Sequence, residues 1–208
     1  MIDVYTANTP NGIKIPMALE EMGVPYTLHM VDLGMREQKA PSFLRINPNG
    51  RIPAIVDRNV PDGEQGLSVF ESGAILLHLA ERYGSLIPQD TVGRIRALEY
   101  LFFQVSGIGP MFGQAGWFRR HAPDVAVGLT RYREESARLS AVLEGRLQTS
   151  PWLAGSEYSI ADIANFGWLR VAAAYVGMDM SPFPAVQRWV DAIEARAATR
   201  RALKAMTA

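Results

Sequence analysis

Apolar and polar positions change rhythm about two-fifths of the way along the chain. Before that point, stretches of period two and period three-to-four take turns. Ile2-Asp3-Val4-Tyr5 is a short strand candidate. Thr6 to Gly12 is a loop, with Thr9-Pro10-Asn11-Gly12 its densest turn signal. A helix is predicted from Ile13 to Met22, stopped by Gly23. Pro16 falls in or just past its first turn, where a missing N–H is tolerated. Tyr26, Leu28 and Met30 alternate with Thr27, His29 and Val31, which is strand spacing. Pro41 to Ile46 is a short helix candidate. Ala54–Val56 and Leu67–Phe70 are two apolar runs, and Asp62-Gly63 between them is turn chemistry, so they predict a hairpin. Ile75, Leu76, Leu79 and Tyr83 then recur at helical spacing, with Ser72 as expected N-cap and Gly84 as the stop. The order is βαβ, a short helix, then ββα. A βαβ unit forces parallel strands and a hairpin adds an antiparallel pair, giving a small mixed sheet covered by helices.

From about Thr91 strand signals nearly vanish. Arg94 to Val105 is helical, and Ser106-Gly107-Ile108-Gly109-Pro110 predicts a break or kink before helix resumes over Met111 to Arg120. Leu129–Leu147 carries an apolar stripe of Tyr132, Leu139, Val142, Leu143 and Leu147. Ser150 to Gly155 is a loop. Ser159-Ile160-Ala161-Asp162 resembles a capping box with Asp in place of Glu and opens a helix to about Tyr175. Pro184 opens another helix through Val186, Trp189, Val190 and Ile193, and Thr199 to Ala208 is a short helix or a tail. The boundary lies near Gly84–Asp90, dividing the chain into residues 1–84 and 85–208.

Charge narrows the function classes. Lysine plus arginine equals aspartate plus glutamate, 21 each, which argues against a general nucleic-acid or anionic-membrane role. No apolar run approaches the roughly 18 residues of a membrane span. The N-terminus lacks a signal-peptide pattern, so a cytoplasmic location is expected. The chain has no cysteine, hence no disulfide, no protein thiol nucleophile and no thiolate metal site. His29, His78 and His121 lie far apart without carboxylate spacing, so no metal is expected.

The hairpin region carries the chemistry. Asn47-Pro48-Asn49-Gly50-Arg51 is a polar, turn-rich approach to Ile52-Pro53, and the fourth strand ends in Glu71-Ser72 before a helix. Two polar ends then sit close in space, beside a helix N-terminus suited to a carboxylate. The pairing of Ile52-Pro53 with Glu71-Ser72 resembles the glutathione site of the cytosolic glutathione transferases. The resemblance implies a cis Pro53, backbone pairing of Ile52 with the cysteinyl part of glutathione, and a γ-glutamyl end held by Glu71 and Ser72. It also implies a thioredoxin-like α/β domain followed by an all-α domain. Ser150-Pro151-Trp152-Leu153 with Gly155, followed by the capping motif, resembles that helical domain and is read as folding chemistry.

Thr9-Pro10-Asn11-Gly12, with Leu19-Glu20-Glu21 in the next helix, resembles the bacterial nu class of that family. Val31-Asp32-Leu33, Phe70 to Leu76, and Gln104-Val105 running to Gly109-Pro110-Met111 agree, so the match spans nearly the whole chain. Most family members place a tyrosine, serine or cysteine near the first strand–helix turn to favour the glutathione thiolate. A free thiol has a pKa near 8.5, and lowering it by about two units needs about 2.7 kcal/mol in favour of the thiolate. In the nu class a threonine and an asparagine take that place, which implies Thr9 and Asn11 as donors to a glutathione sulfur. By themselves the two residues are better explained by turn formation and N-capping, and it is the resemblance that favours the donor role. Tyr5 is read as a half-buried strand aromatic, and Lys14 as solvent-facing.

Members of the class reduce small disulfides with thiols from two bound glutathione molecules or one glutathione disulfide, and need no protein cysteine. The expected function is therefore glutathione-dependent disulfide-bond oxidoreduction. The alternatives are conjugation of an electrophile by the same thiolate, and a non-enzymatic binding protein on the same fold. Gln38 is a candidate contact for the glycyl end. Arg131 is either an arginine approaching the site or a solvated helix charge. Candidates for an acceptor site between the domains are Tyr100, Phe103, Met111, Phe112, Trp117, Phe118 and Trp168. A homodimer is implied by the family.

Overall fold

The computed structural model describes residues 1–60 and 66–207; Asp62-Gly63, the expected hairpin turn, lies outside the described residues. Two compact units result, one of Met1–Ser85 with Arg196–Ala208, the other of Leu86–Ala195.

In the first unit the elements run β1 (Ile2–Thr6), α1 (Lys14–Met22), β2 (Tyr26–Met30), α2 (Pro41–Leu44), β3 (Ala54–Asp57), β4 (Leu67–Phe70) and α3 (Ser72–Tyr83). A single 3-10 turn, Glu37–Lys39, precedes α2. The sheet order is β2-β1-β3-β4. Strand β1 is parallel to β2 and antiparallel to β3, and β3 is antiparallel to β4. Val4 is registered with Leu28 on one side and Ile55 on the other. The two central strands are the most buried, with Ile2, Val4, Ala54 and Ile55 fully enclosed. Strand β3 shows no alternation because both its faces are covered. Asp57 at its end is fully buried and pairs with His78 and Arg82, both at 3.1 Å, four residues apart on α3. Pro16 is the third residue of α1, where an N–H has no intrahelical partner to lose. Gly23 ends α1 at φ 64, as expected of a left-handed stop.

The second unit is helical. Asp90 caps α4 (Thr91–Phe103) by accepting from the Gly93 N–H at 2.8 Å. Where a break or kink is expected after α4, a π-helical turn, Gln104–Ile108, feeds directly into α5 (Gly109–His121). Pro110 is the second residue of α5 and has no N–H to give the turn before it, which is where the π turn lies. Helix α6 (Ala126–Thr149) is longer than its apolar stripe. Leu139, Leu143 and Leu147 are buried, but Val142 is 40% exposed. Helix α7 (Ile160–Arg170) is enclosed along nearly its whole length. Its capping box is formed. It ends earlier than predicted, in a second π turn, Ala172–Val176, closed by Gly177 at φ 71. Helix α8 (Pro184–Glu194) is capped from a distance: the Glu144 carboxylate accepts the Ala185 and Val186 N–H groups, at 2.9 Å for each nearest contact.

The last element is a helix, α9 (Ala197–Ala205), and it packs on α1 in the first unit. The first unit is therefore built from both ends of the chain, not from residues 1–84 alone. Charge pairing explains the return. Arg196 grips Glu21 with two bonds, 2.6 and 2.8 Å, and Arg201 meets Glu20 at 2.6 Å.

Candidate functional site

The turn between β1 and α1 is tied from within. Thr6, fully buried, donates its hydroxyl to the Gly12 carbonyl at 2.8 Å. The Gly12 N–H donates to Thr9 Oγ1 at 3.0 Å. Gly12 has no room for a side chain, because a Cβ would lie 1.9 Å from the Ala7 carbonyl oxygen. A hydroxyl that accepts from Gly12 still has its own proton to donate, so Thr9 is set up as a donor. Asn11 follows, and its Oδ1 accepts from Lys14 Nζ at 2.8 Å. Lysine can only donate when charged, so the atom it faces is the amide oxygen and the NH2 end points away from it.

Lys14 is not solvent-facing. It has no exposed surface, and burial pulls its ammonium down to about 7, opposed by the negative charge of Glu71. The signal was in its neighbours. Ile13 and Ile15 to Leu19 are apolar all round the helix, and a helix without a polar face at that point encloses every residue in it.

The other side of the site comes from the hairpin. Asn47, 2% exposed, ties the approach: its Nδ2 donates to the Arg51 carbonyl at 2.6 Å and its Oδ1 accepts the Asn49 N–H at 2.9 Å. The Ile52–Pro53 bond is cis, as the resemblance implies. Glu71 occupies φ 68, ψ 114 and is the residue that caps α3, so Ser72 is the first helical residue and not the N-cap. No side chain caps that helix start, which leaves its first amides facing outward for an anion. The Glu71 carboxylate accepts from Asn49 Nδ2 at 3.3 Å.

These residues enclose one recess. Asn11, Asn49, Ile52, Pro53, Glu71 and Ser72 line a cavity of about 100 Å³. Gln38 sits in the 3-10 turn packed on the same loop, for a Cβ on Gly50 would lie 2.9 Å from the Gln38 carbonyl oxygen. Its side-chain Oε1 is buried with no hydrogen-bond partner among the described residues. Thr9 belongs to the turn that carries Asn11. Tyr5 packs instead, stacked on His29 with ring centroids 4.5 Å apart, and burial raises its phenol.

The remaining candidates lie in the second unit. Arg131 is exposed on α6. Tyr100 and Phe103 meet edge to face, and so do Phe112 and Trp168. Phe112 has no exposed surface and Trp168 has 7%, whereas Trp117 keeps 49%. Met111 and Phe118 are half-buried. The sequence reading missed Lys14 and the loop-holding role of Asn47.

Known proteins resemble this chain in sequence and fold. The glutathione S-transferase N-terminal domain matches residues 2–81, and the C-terminal domain of the same family matches residues 129–197. The disulfide-bond oxidoreductase YfcG of Escherichia coli (strain K12) is 49% identical over 98% of this chain and 94% of its own. A glutathione transferase from Burkholderia graminis, solved with two glutathione molecules per subunit, superposes with a TM-score of 0.91. It is 46% identical, over 98% of this chain and 87% of that one. One from Pseudomonas putida, solved with one glutathione disulfide per subunit, gives a TM-score of 0.90 and 42% identity, covering 98% of this chain and 90% of that one. With its sheet, its cis proline, its acid–serine pair and these relatives, the chain belongs to the glutathione S-transferase family.

Proposed function

We propose that this protein is a glutathione-dependent disulfide-bond oxidoreductase of the nu class. The observation that carries the reading is one recess shared by Asn11, Ile52-Pro53 and Glu71-Ser72 in a chain without cysteine. The Ile52 backbone pairs with the cysteinyl unit of glutathione. Glu71, Ser72 and the first amides of α3 hold the γ-glutamyl end, and Gln38 takes the glycyl end. Thr9 donates its hydroxyl, and Asn11 its amide, to sulfur.

The chemistry follows from where thiols come from. A glutathione thiolate attacks one sulfur of the substrate disulfide. The substrate S–S bond breaks, a mixed disulfide forms, and the first half leaves as a thiolate that takes a proton. A second glutathione thiolate attacks the glutathione sulfur of that mixed disulfide and releases the second half as thiol. Two glutathione molecules give up two electrons, the substrate disulfide takes them, and glutathione disulfide is the product. The E. coli relative's name, and the relatives solved with two glutathiones or with the disulfide, support this reading. Arg131 and the acceptor candidates, of which Trp117 offers the most ring surface, are carried into it from the resemblance. The working state is a homodimer, as the resemblance implies, in the cytoplasm, where the glutathione pool is kept reducing; light scattering on a sizing column tests the dimer.

The deciding experiment measures glutathione-dependent reduction of a small disulfide, coupled to glutathione reductase and NADPH, beside an aryl-halide conjugation assay. Strong reduction, weak conjugation and a large loss in Thr9→Ala are expected. Strong conjugation with negligible reduction overturns the reading in favour of a conjugating transferase. Absence of glutathione binding leaves a binding protein of another kind.

A further inference from the structure

One buried cation bridges the two ends of the recess. Lys14 donates to Asn11 Oδ1 at 2.8 Å and to Ser72 Oγ at 3.3 Å, although Ser72 lies 58 residues away on another helix. It is fully enclosed and heads the largest of the completely buried side chains. Burying an ammonium is costly unless it is paired, so its place here calls for a role.

Donor chemistry supplies the role. A charged lysine has three protons and no lone pair, so each partner must turn an oxygen toward it. Asn11 then presents its NH2 on the far side of its amide, and Ser72 keeps its own proton for another acceptor. Both groups become donors, one at the thiol end of the ligand and one at the γ-glutamyl end. Glu71 is the charged group that acts on the ammonium and supports its charge.

We propose that Lys14 is a positioning residue that locks Asn11 and Ser72 as donors toward glutathione and lends a positive charge to the thiolate end. The inference rests on the reading of the recess as the glutathione site. It couples the two ends: whatever neutralises Lys14 loosens both donors together. Because burial places its titration near 7, raising the pH through that value releases its proton in the empty site and weakens binding.

The test uses three proteins, wild type, Lys14→Met and Lys14→Gln. Methionine fills the same volume without donors or charge; glutamine keeps a donor without charge. Two quantities are read: the affinity for S-methylglutathione, by calorimetry across pH 6 to 8 (about one unit either side of the Lys14 titration), and the thiol pKa of bound glutathione, from thiolate absorbance. Lys14→Met is expected to lose roughly tenfold or more in affinity and to raise the bound thiol pKa by about one unit. Lys14→Gln is expected to regain affinity but not the thiol pKa. Wild-type affinity should fall above pH 7, and that slope should vanish in both variants. In an Asn11→Ala background, Lys14→Met should cost much less than alone.

If wild type binds glutathione and Lys14→Met matches it in both quantities, the Lys14 inference falls and the site stands. If both variants fail to fold, the ammonium is structural and the inference also falls. If wild type binds no glutathione, the site reading and the inference fall together.

Discussion

Replacing Asp162 with alanine takes the acceptor away from four donors at once. Its Oδ1 accepts the Leu153 N–H and the Trp189 Nε1–H, both at 2.9 Å. Its Oδ2 accepts the Ser159 N–H at 3.0 Å and the Ser159 hydroxyl at 3.1 Å. The hydroxyl can turn elsewhere, but the three N–H groups are buried and cannot. At about 1–3 kcal/mol for each orphaned donor, the alanine variant should lose at least about 3 kcal/mol. Asparagine, with its oxygen in the Oδ1 place, keeps Leu153 and Trp189 and loses only the Ser159 N–H, so it should lose about 1–2 kcal/mol. All four tryptophans, Trp117, Trp152, Trp168 and Trp189, belong to the second unit. Urea unfolding followed by tryptophan fluorescence therefore reads that unit selectively. The pH dependence adds a second check. Burial raises Asp162 to about 6 from an ordinary 3.8, outweighing the four hydrogen bonds that favour the carboxylate. The folded state thus holds the proton more tightly than the unfolded chain. Stability from this group is fully present below about 4 and falls as the pH rises to about 6, by roughly 3 kcal/mol for two units. Asparagine does not titrate, so wild type should gain on Asp162→Asn as the pH drops through that window. A loss under about 1 kcal/mol for alanine, or a wild-type-to-asparagine difference flat in pH, would refute the reasoning.

Three further outcomes are expected. Gly12→Ala puts a methyl 1.9 Å from the Ala7 oxygen and 2.7 Å from Thr6 Oγ1, so the turn must open. Calorimetry should show glutathione affinity down more than tenfold, with a stability loss of roughly 1–3 kcal/mol. Glu71→Gly relieves the φ 68, ψ 114 backbone, worth about 1–3 kcal/mol less the added glycine entropy. The same change removes the charge that supports buried Lys14 and the acceptor of Asn49, which offsets the relief, so denaturation should show a net change under about 1 kcal/mol while glutathione affinity falls. Glu144→Ala orphans the first two N–H groups of α8 and should cost about 2–4 kcal/mol by tryptophan fluorescence in urea.

Local chemistry was legible in the sequence; long-range placement was not. The strands of the first unit, the Gly23 and Gly84 stops and the Ser159–Asp162 capping box are written in neighbouring residues, and the structure keeps them. Thr9 and Asn11 could be read as a turn, but only the recess sets Asn11 beside Glu71-Ser72. Ser72 misled because a serine before an apolar run looks like a cap. Glu71 instead takes the strained entry conformation and pushes the cap one residue back. Ser106 to Pro110 reads as a break or kink because Gly107, Gly109 and Pro110 are helix breakers one by one. A π turn absorbs them without ending the helix. A solvent-facing Lys14 is at odds with the apolar residues on either side of it, whereas the docking of α9 on α1 has no local signal, because Arg196 and Arg201 answer glutamates near the start of the chain.

That return of α9 sets an order of events during synthesis. The ribosome releases β1 through α3 first, then all of Leu86–Ala195, and only then the helix that covers α1. Until that moment the nascent first unit carries a bare flank, and Glu20 and Glu21 wait for arginines not yet made. The helical unit has all its own parts in hand sooner and is free to finish folding before the unit that precedes it on the messenger.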